Sequence, residues 1–247
     1  MLLLTSAVAL AAVVNTLSPS VGPPEEGRSG ELALAGGANF GNTEQTSLTP
    51  GAAIEAVAGD HAWQAALAAE HTTIDGAVHT QQAFGAVRYG WTFHDPWTVY
   101  GFVQADHNTS KSLIVRDLVG AGVDRRLWRT ERAEAHLSAA VMSEHQLHAP
   151  HPSGAVDDDA GLRARGNATM THAVLLDERI QLTSVTYFQP RLDRPENWRV
   201  YEELVLDVTL NERLTWSYSG TLEHDREPPA GVAATDVALA SALGWTF

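Results

Sequence analysis

The sequence predicts an all-β fold: an antiparallel up-and-down transmembrane β-barrel of about twelve strands. Three observations carry this. First, the chain ends in a strand read in steps of two as Val237, Leu239, Ser241, Leu243, Trp245, Phe247, a mostly apolar face alternating with small or polar residues. Second, the rest of the chain repeats one unit of strand, short turn, strand and longer loop. Third, six of the seven tryptophans (Trp63, Trp91, Trp97, Trp128, Trp216, Trp245) fall near the short-turn ends, and only Trp198 lies near the longer loops. Indole is apolar with one polar N–H, so a ring of it at one level suits a membrane–water interface.

The elements follow in order. Residues 1–11 are apolar with small residues, and Ala9-Leu10-Ala11 is an A-x-A pattern, so a signal peptide cleaved before Ala12 is expected even though a basic start is missing. Residues 12–29 contain Pro19, Pro23 and Pro24 and read as a disordered linker. The barrel is expected over 30–247. Strands are predicted at 30–41, 45–58, 62–73, 79–93, 97–108, 112–127, 132–146, 157–175, 178–190, 198–210, 213–225 and 234–247. Short turns centre on Gly59-Asp60, Asp95-Pro96, Thr130-Glu131, Asp177-Glu178 and Asn211-Glu212. Gly, Asn, Asp and Pro clusters mark the other ends.

Each strand has two unlike faces. Val87, Tyr89 and Trp91, or Leu204, Leu206 and Val208, alternate with Arg88, Glu203 and Asp207. A membrane barrel turns the apolar face to lipid, whereas a soluble lipocalin-like binding barrel turns it inward; alternation alone does not separate the two. The tryptophan level favours the membrane. On that reading Val205→Arg is expected to be tolerated in the lumen and Leu206→Arg to be costly, because one residue's shift changes the face.

Composition excludes several classes. A net charge of −14 with a single lysine, Lys111, argues against nucleic acid as a partner. The absence of cysteine rules out disulfide and thiolate chemistry. No run long enough for a transmembrane helix occurs, which leaves a barrel unaffected.

The terminal Leu243, Trp245 and Phe247 resemble the C-terminal assembly signal of bacterial outer-membrane barrels, which implies the barrel assembly machinery and outer-membrane lipids as partners, short periplasmic turns and longer extracellular loops. Phe247 is then expected to matter for assembly rather than for final stability. The segment Gly30-Glu-Leu-Ala-Leu-Ala-Gly-Gly-Ala-Asn-Phe-Gly-Asn-Thr-Glu44, the strand Val119-Gly-Ala-Gly-Val123 and the last hairpin Leu214–Phe247 with Glu227-Pro228-Pro229 resemble domain of unknown function 481, the YdiY-like salt-induced outer-membrane proteins. The resemblance covers about residues 30–247 and implies an outer-membrane barrel without catalytic or binding residues to carry over. Alanine-rich strands and the long loop at 146–158 depart from the family pattern.

The predicted lumen is charged. Its expected lining includes Arg88, Asp106, Asp124, Arg126, Arg163, Arg165, Glu203, Asp207 and Glu223. Such groups either line a small pore for ions or solutes or cross-link the wall into a closed polar core. Arg163 and Arg165 are the favoured constriction. His145, His148 and His151 beside Asp157-Asp158-Asp159 form a weak metal candidate, since loop spacing is permissive. No cofactor is expected. A lipid hydrolase would need a Ser and a His on the outer wall; Ser143 and His71 have that parity but no signature around them. The chain is therefore read as a non-enzyme, either a small passive channel or a structural barrel of the envelope.

Overall fold

The computed structural model describes residues 26–39, 45–150, 161–229 and 231–247. The expected signal segment, most of the expected linker and His151 lie outside the described residues. Twelve strands run in chain order: β1 Gly27–Asn39, β2 Gln45–Ala58, β3 His61–Ile74, β4 Ala77–His94, β5 Trp97–Asn108, β6 Leu113–Arg129, β7 Ala133–His148, β8 Gly161–Asp177, β9 Ile180–Pro190, β10 Trp198–Thr209, β11 Leu214–Asp225 and β12 Thr235–Thr246. Each strand pairs antiparallel with its neighbours in sequence, and β1 pairs with β12 to close the ring. Closure removes the sheet edge that a bilayer does not tolerate.

Some boundaries differ from those the sequence predicts. β1 begins at Gly27, inside the expected linker, because residues 27–29 already pair with 55–57 of β2. The described part of β8 begins at Gly161 rather than 157. The connection at Asp75-Gly76, placed among the longer loops, is a two-residue turn with φ of 49° and 76° at its two residues, the backbone that matches the twist of paired strands. The β5–β6 loop holds one 3-10 turn, Thr109–Lys111.

The two faces are sorted as a membrane requires. Outward-pointing Leu32, Leu34, Ile54, Leu67, Val103, Val119, Val141 and Leu204 are exposed, while Glu31, Arg116, Glu144, Arg165, Arg199 and Glu203 are buried inside. The apolar face is on the outside, so the lipocalin-like arrangement is overturned. Trp63, Trp91, Trp97, Trp128, Trp216 and Trp245 are exposed on the outer surface. At the loop end Trp198 sits beside Phe188 and His224, with ring centroids 6.1 and 5.2 Å away.

The interior is packed unevenly. Gly120 of β6 faces inward, and a Cβ there would meet the Phe102 ring at 2.5 Å and Met142 Cβ at 2.9 Å. Its lack of a side chain lets Phe102 join Tyr100, Leu118 and Met142 in a buried cluster. Tyr187, Tyr201 and Val185 form another. By contrast the inward positions of β1, β2, β3 and β12 are mostly small: Ala33, Ala53, Ala66, Ala68, Ala240 and Gly244 among them.

The ring closes weakly. β1 and β12 pair over five residues only, from Glu31–Thr246 to Ala35–Ala242. Phe247 extends that closure: its N–H donates to Gly30 O at 2.9 Å, and Gly30 N–H donates to Phe247 O at 3.1 Å. Its ring covers Gly30. Phe247 thus also holds the shortest seam of the barrel together, a structural role that its expected part in assembly did not include.

Candidate functional site

A charged network lines one wall of the lumen. Glu144 on β7 accepts Arg165 Nε from β8 at 2.6 Å and Arg199 Nη1 from β10 at 2.8 Å. Arg199 Nε reaches on to Asp225 of β11 at 2.7 Å. Arg165 Nη1 also donates to the Gln189 carbonyl at 3.3 Å, and Gln189 Nε2 donates to Asn167 Oδ1 at 3.0 Å. Glu144 is 1% exposed and Arg165 0%. Beside them Arg116 Nε donates to Asp106 Oδ2 at 3.1 Å, and Gln104 Nε2 donates to the same oxygen at 2.8 Å. Charge-assisted bonds of this kind are strong and directional. They join β5 to β6, and β7 to β8, β10 and β11, from within.

Lys111 bridges the mouth. The 3-10 turn that presents it is fixed by Asn108 Oδ1, which accepts from Lys111 N at 3.1 Å and from Ser110 Oγ at 2.6 Å. Lys111 Nζ then spans the opening to Glu223 Oε2 at 2.6 Å and Asp236 Oδ2 at 3.4 Å, on β11 and β12 across the ring. This bar separates two spaces. On one side a pocket of about 40 Å³ lies between Arg116, His148, Arg199 and the Pro228–Pro229 loop. On the other a cavity of about 600 Å³ follows the small-residue wall, bordered by Gly37, Thr49, Glu70, Gln82, Asn108, Ser219 and Asp236. Below the cavity, toward the short-turn end, Phe84 packs on Ala53, Ala66 and Ala68.

The residues singled out in the sequence sort as follows. Arg88 lies over the Tyr100 ring, 4.0 Å from its centroid. Asp124 holds His136 at 2.7 Å, and His136 also contacts Glu134 at 2.7 Å. Arg126 binds Asp95 at the short-turn end. Glu203 and Asp207 are both buried on the inner face of β10 with Val205 between them, and Ser217 Oγ donates to Asp207 at 2.5 Å. Arg163 and Arg165 do not form a joint constriction: Arg165 is locked by Glu144, while Arg163 stands near the loop end, where its Nη1 donates to Leu162 O at 2.8 Å.

His145 points outward toward Asp117 at 3.7 Å and His148 inward. Strand period two puts these neighbours on opposite faces, so they do not converge on one ion. Among the described residues no cluster of three or more His, Asp and Glu suited to a metal occurs. His71 on β3 and Ser143 on β7 both face outward with three strands between them, too far apart to act as a pair. Outside the strands, hydrogen bonds from Arg191 hold the Asp193 carboxyl down at about 2.

Lys111, Asp236 and Phe84 were not singled out as site residues. A lone lysine in an acidic chain was the one signal for the first. Nothing local marked the others.

The NanC porin shares this architecture, with a TM-score of 0.52 and 12% identity over 88% of this chain and 98% of that one. The translocator domain of the autotransporter NalP from Neisseria meningitidis gives a TM-score of 0.50 and 10% identity over 89% and 87%. At such identity the likeness is one of fold. No curated protein sequence matches the chain. The family model for the protein of unknown function DUF481 matches residues 32–247, nearly the whole of the described barrel, and the chain therefore belongs to the DUF481 family.

Proposed function

We propose that this chain is a bacterial outer-membrane barrel acting as a narrow passive channel for small ions or solutes, without catalytic activity. The observation that carries this reading is the 600 Å³ cavity below the mouth, polar on several sides and left open by the small-residue wall. Glu70, Glu223 and Asp236 border it against Lys111, the one cation among its described lining residues, and that balance favours cations. The packing of Phe84 on Ala53, Ala66 and Ala68 below the cavity supports a narrow point there. The ion pairs Arg116–Asp106 and Arg165–Glu144–Arg199–Asp225 brace the wall beside it.

Conductance of the purified protein in planar bilayers tests this. The wild type is expected to show small, cation-preferring steps. Phe84→Ala should raise the conductance severalfold. Lys111→Met should shift the reversal potential in a salt gradient further toward cation preference. The Arg165–Glu144–Arg199 network and the Phe84 packing also suit a barrel that only supports the envelope. Silence in wild type and Phe84→Ala alike would leave that structural role and remove the channel.

A further inference from the structure

Among the described residues the wall is breached at one place. Above Ala35 and Ala242 the β1–β12 ladder stops: Gly36 and Gly37 pair only with β2, and Thr235–Ser241 pair only with β11. The breach joins the cavity. Inward-facing Gly37, Ala238 and Ala240 line it, and so do outward-facing Gly36, Val237 and Leu239. A cavity bordered by both faces of one strand passes round that strand's free edge. Leu239 is 86% exposed.

The depth of the breach gives it meaning. Strands rise about 3.3 Å per residue and tilt by about 40° in membrane barrels, so Val237 stands roughly 20 Å above Trp245, inside an apolar band about 25 Å tall. Unpaired backbone groups are not tolerated against hydrocarbon, but they are where they border a wet cavity. The seam therefore meets lipid chains on its outer side and water on its inner side. An amphiphile matches both.

We propose that the β1–β12 seam is a lateral portal through which a single-chain amphiphile passes between the cavity and the surrounding leaflet. The alkyl chain lies along Ala238, Ala240 and Gly37, small residues that leave room for it among the described residues. The polar head lies among Gln82, Asn108 and the Lys111–Glu223–Asp236 bar. Carboxylates prevail there, so the head is uncharged or cationic rather than anionic. The proposal uses the same cavity as the channel reading but needs no passage beyond Phe84.

The chain has no cysteine, so single labels are clean. The purified full chain, labelled with bimane at Ala240→Cys, Leu239→Cys or Gln82→Cys, is placed in phosphatidylcholine vesicles brominated in the acyl chains. The inward label at 240 should be quenched nearly as much as the outward label at 239, and the label at 82 much less. A silent 240 label, as in a zipped seam or one covered by a second copy, overturns the portal. A TEMPO ester of stearic acid, a single-chain amphiphile whose uncharged nitroxide head is the quencher, should then quench the label at 82. Adding Ala240→Trp, which fills the seam, should reduce that quenching severalfold. Undiminished quenching means entry through the mouth and also overturns the portal. Ion conductance of the same vesicles is read separately: conductance without quenching keeps the channel and removes the portal, and the reverse keeps the portal alone.

Discussion

Glu144→Gln should lower the unfolding free energy of the detergent-folded barrel by about 3–5 kcal/mol, the usual cost of removing one partner from a buried ion pair. Glutamine keeps the volume, so packing changes little. What is lost is the negative charge held between Arg165 and Arg199 at 2.6 and 2.8 Å. The shift in urea midpoint at constant slope measures it. Removing a cation together with the anion, as in Glu144→Gln/Arg165→Gln, should recover a large part of the loss, because the penalty arises from an uncompensated buried charge. If the single variant unfolds like the wild type, the lumen at this level is wet, and the network contributes little.

Leu206→Arg should cost about 2–4 kcal/mol, the range for a cation near the bilayer midplane of a barrel wall. Leu206 pairs with Tyr218 and Leu182 on the lipid face of β10. The neighbouring Val205→Arg was expected from parity to be harmless. The structure changes that expectation: Val205 faces the lumen but is 1% exposed. The space is filled, so an arginine there must displace its neighbours, at roughly 1–3 kcal/mol for overpacking. Glu203 and Asp207 flank it on the same face and would offset part of this through ion pairing. Urea titrations in lipid vesicles are expected to rank Leu206→Arg as the worse change. The opposite order would mean that the lumen at this level is dry and rigid.

What was legible in the sequence depended on local patterns. Period two in β12, Trp-x-Phe at its end and the turn clusters reveal twelve strands and their faces because each rests on near neighbours in sequence. Arg88, Asp106, Glu203 and Asp207 fall inward for the same reason. The interior's filling did not follow, since it depends on which positions meet across the ring. Lys111 reaches Glu223 over a separation of 112 residues. Arg165 is taken up by Glu144, and Phe84 rests on alanines from β2 and β3. Parity shows that these side chains point inward. It does not tell whether they meet water, an ion pair or a ring. The short β1–β12 ladder was equally hidden, because it joins opposite ends of the chain and is bordered by Gly36 and Gly37, which add no side-chain pattern.

This barrel is expected to face lipid in the outer membrane. Separating inner from outer membranes of the native bacterium on a density gradient, and running each fraction on gels with and without boiling, tests that most directly. The chain is expected in the dense outer-membrane fraction, with a folded band that shifts on boiling. Recovery in the soluble periplasmic fraction, or in the inner membrane, would contradict it.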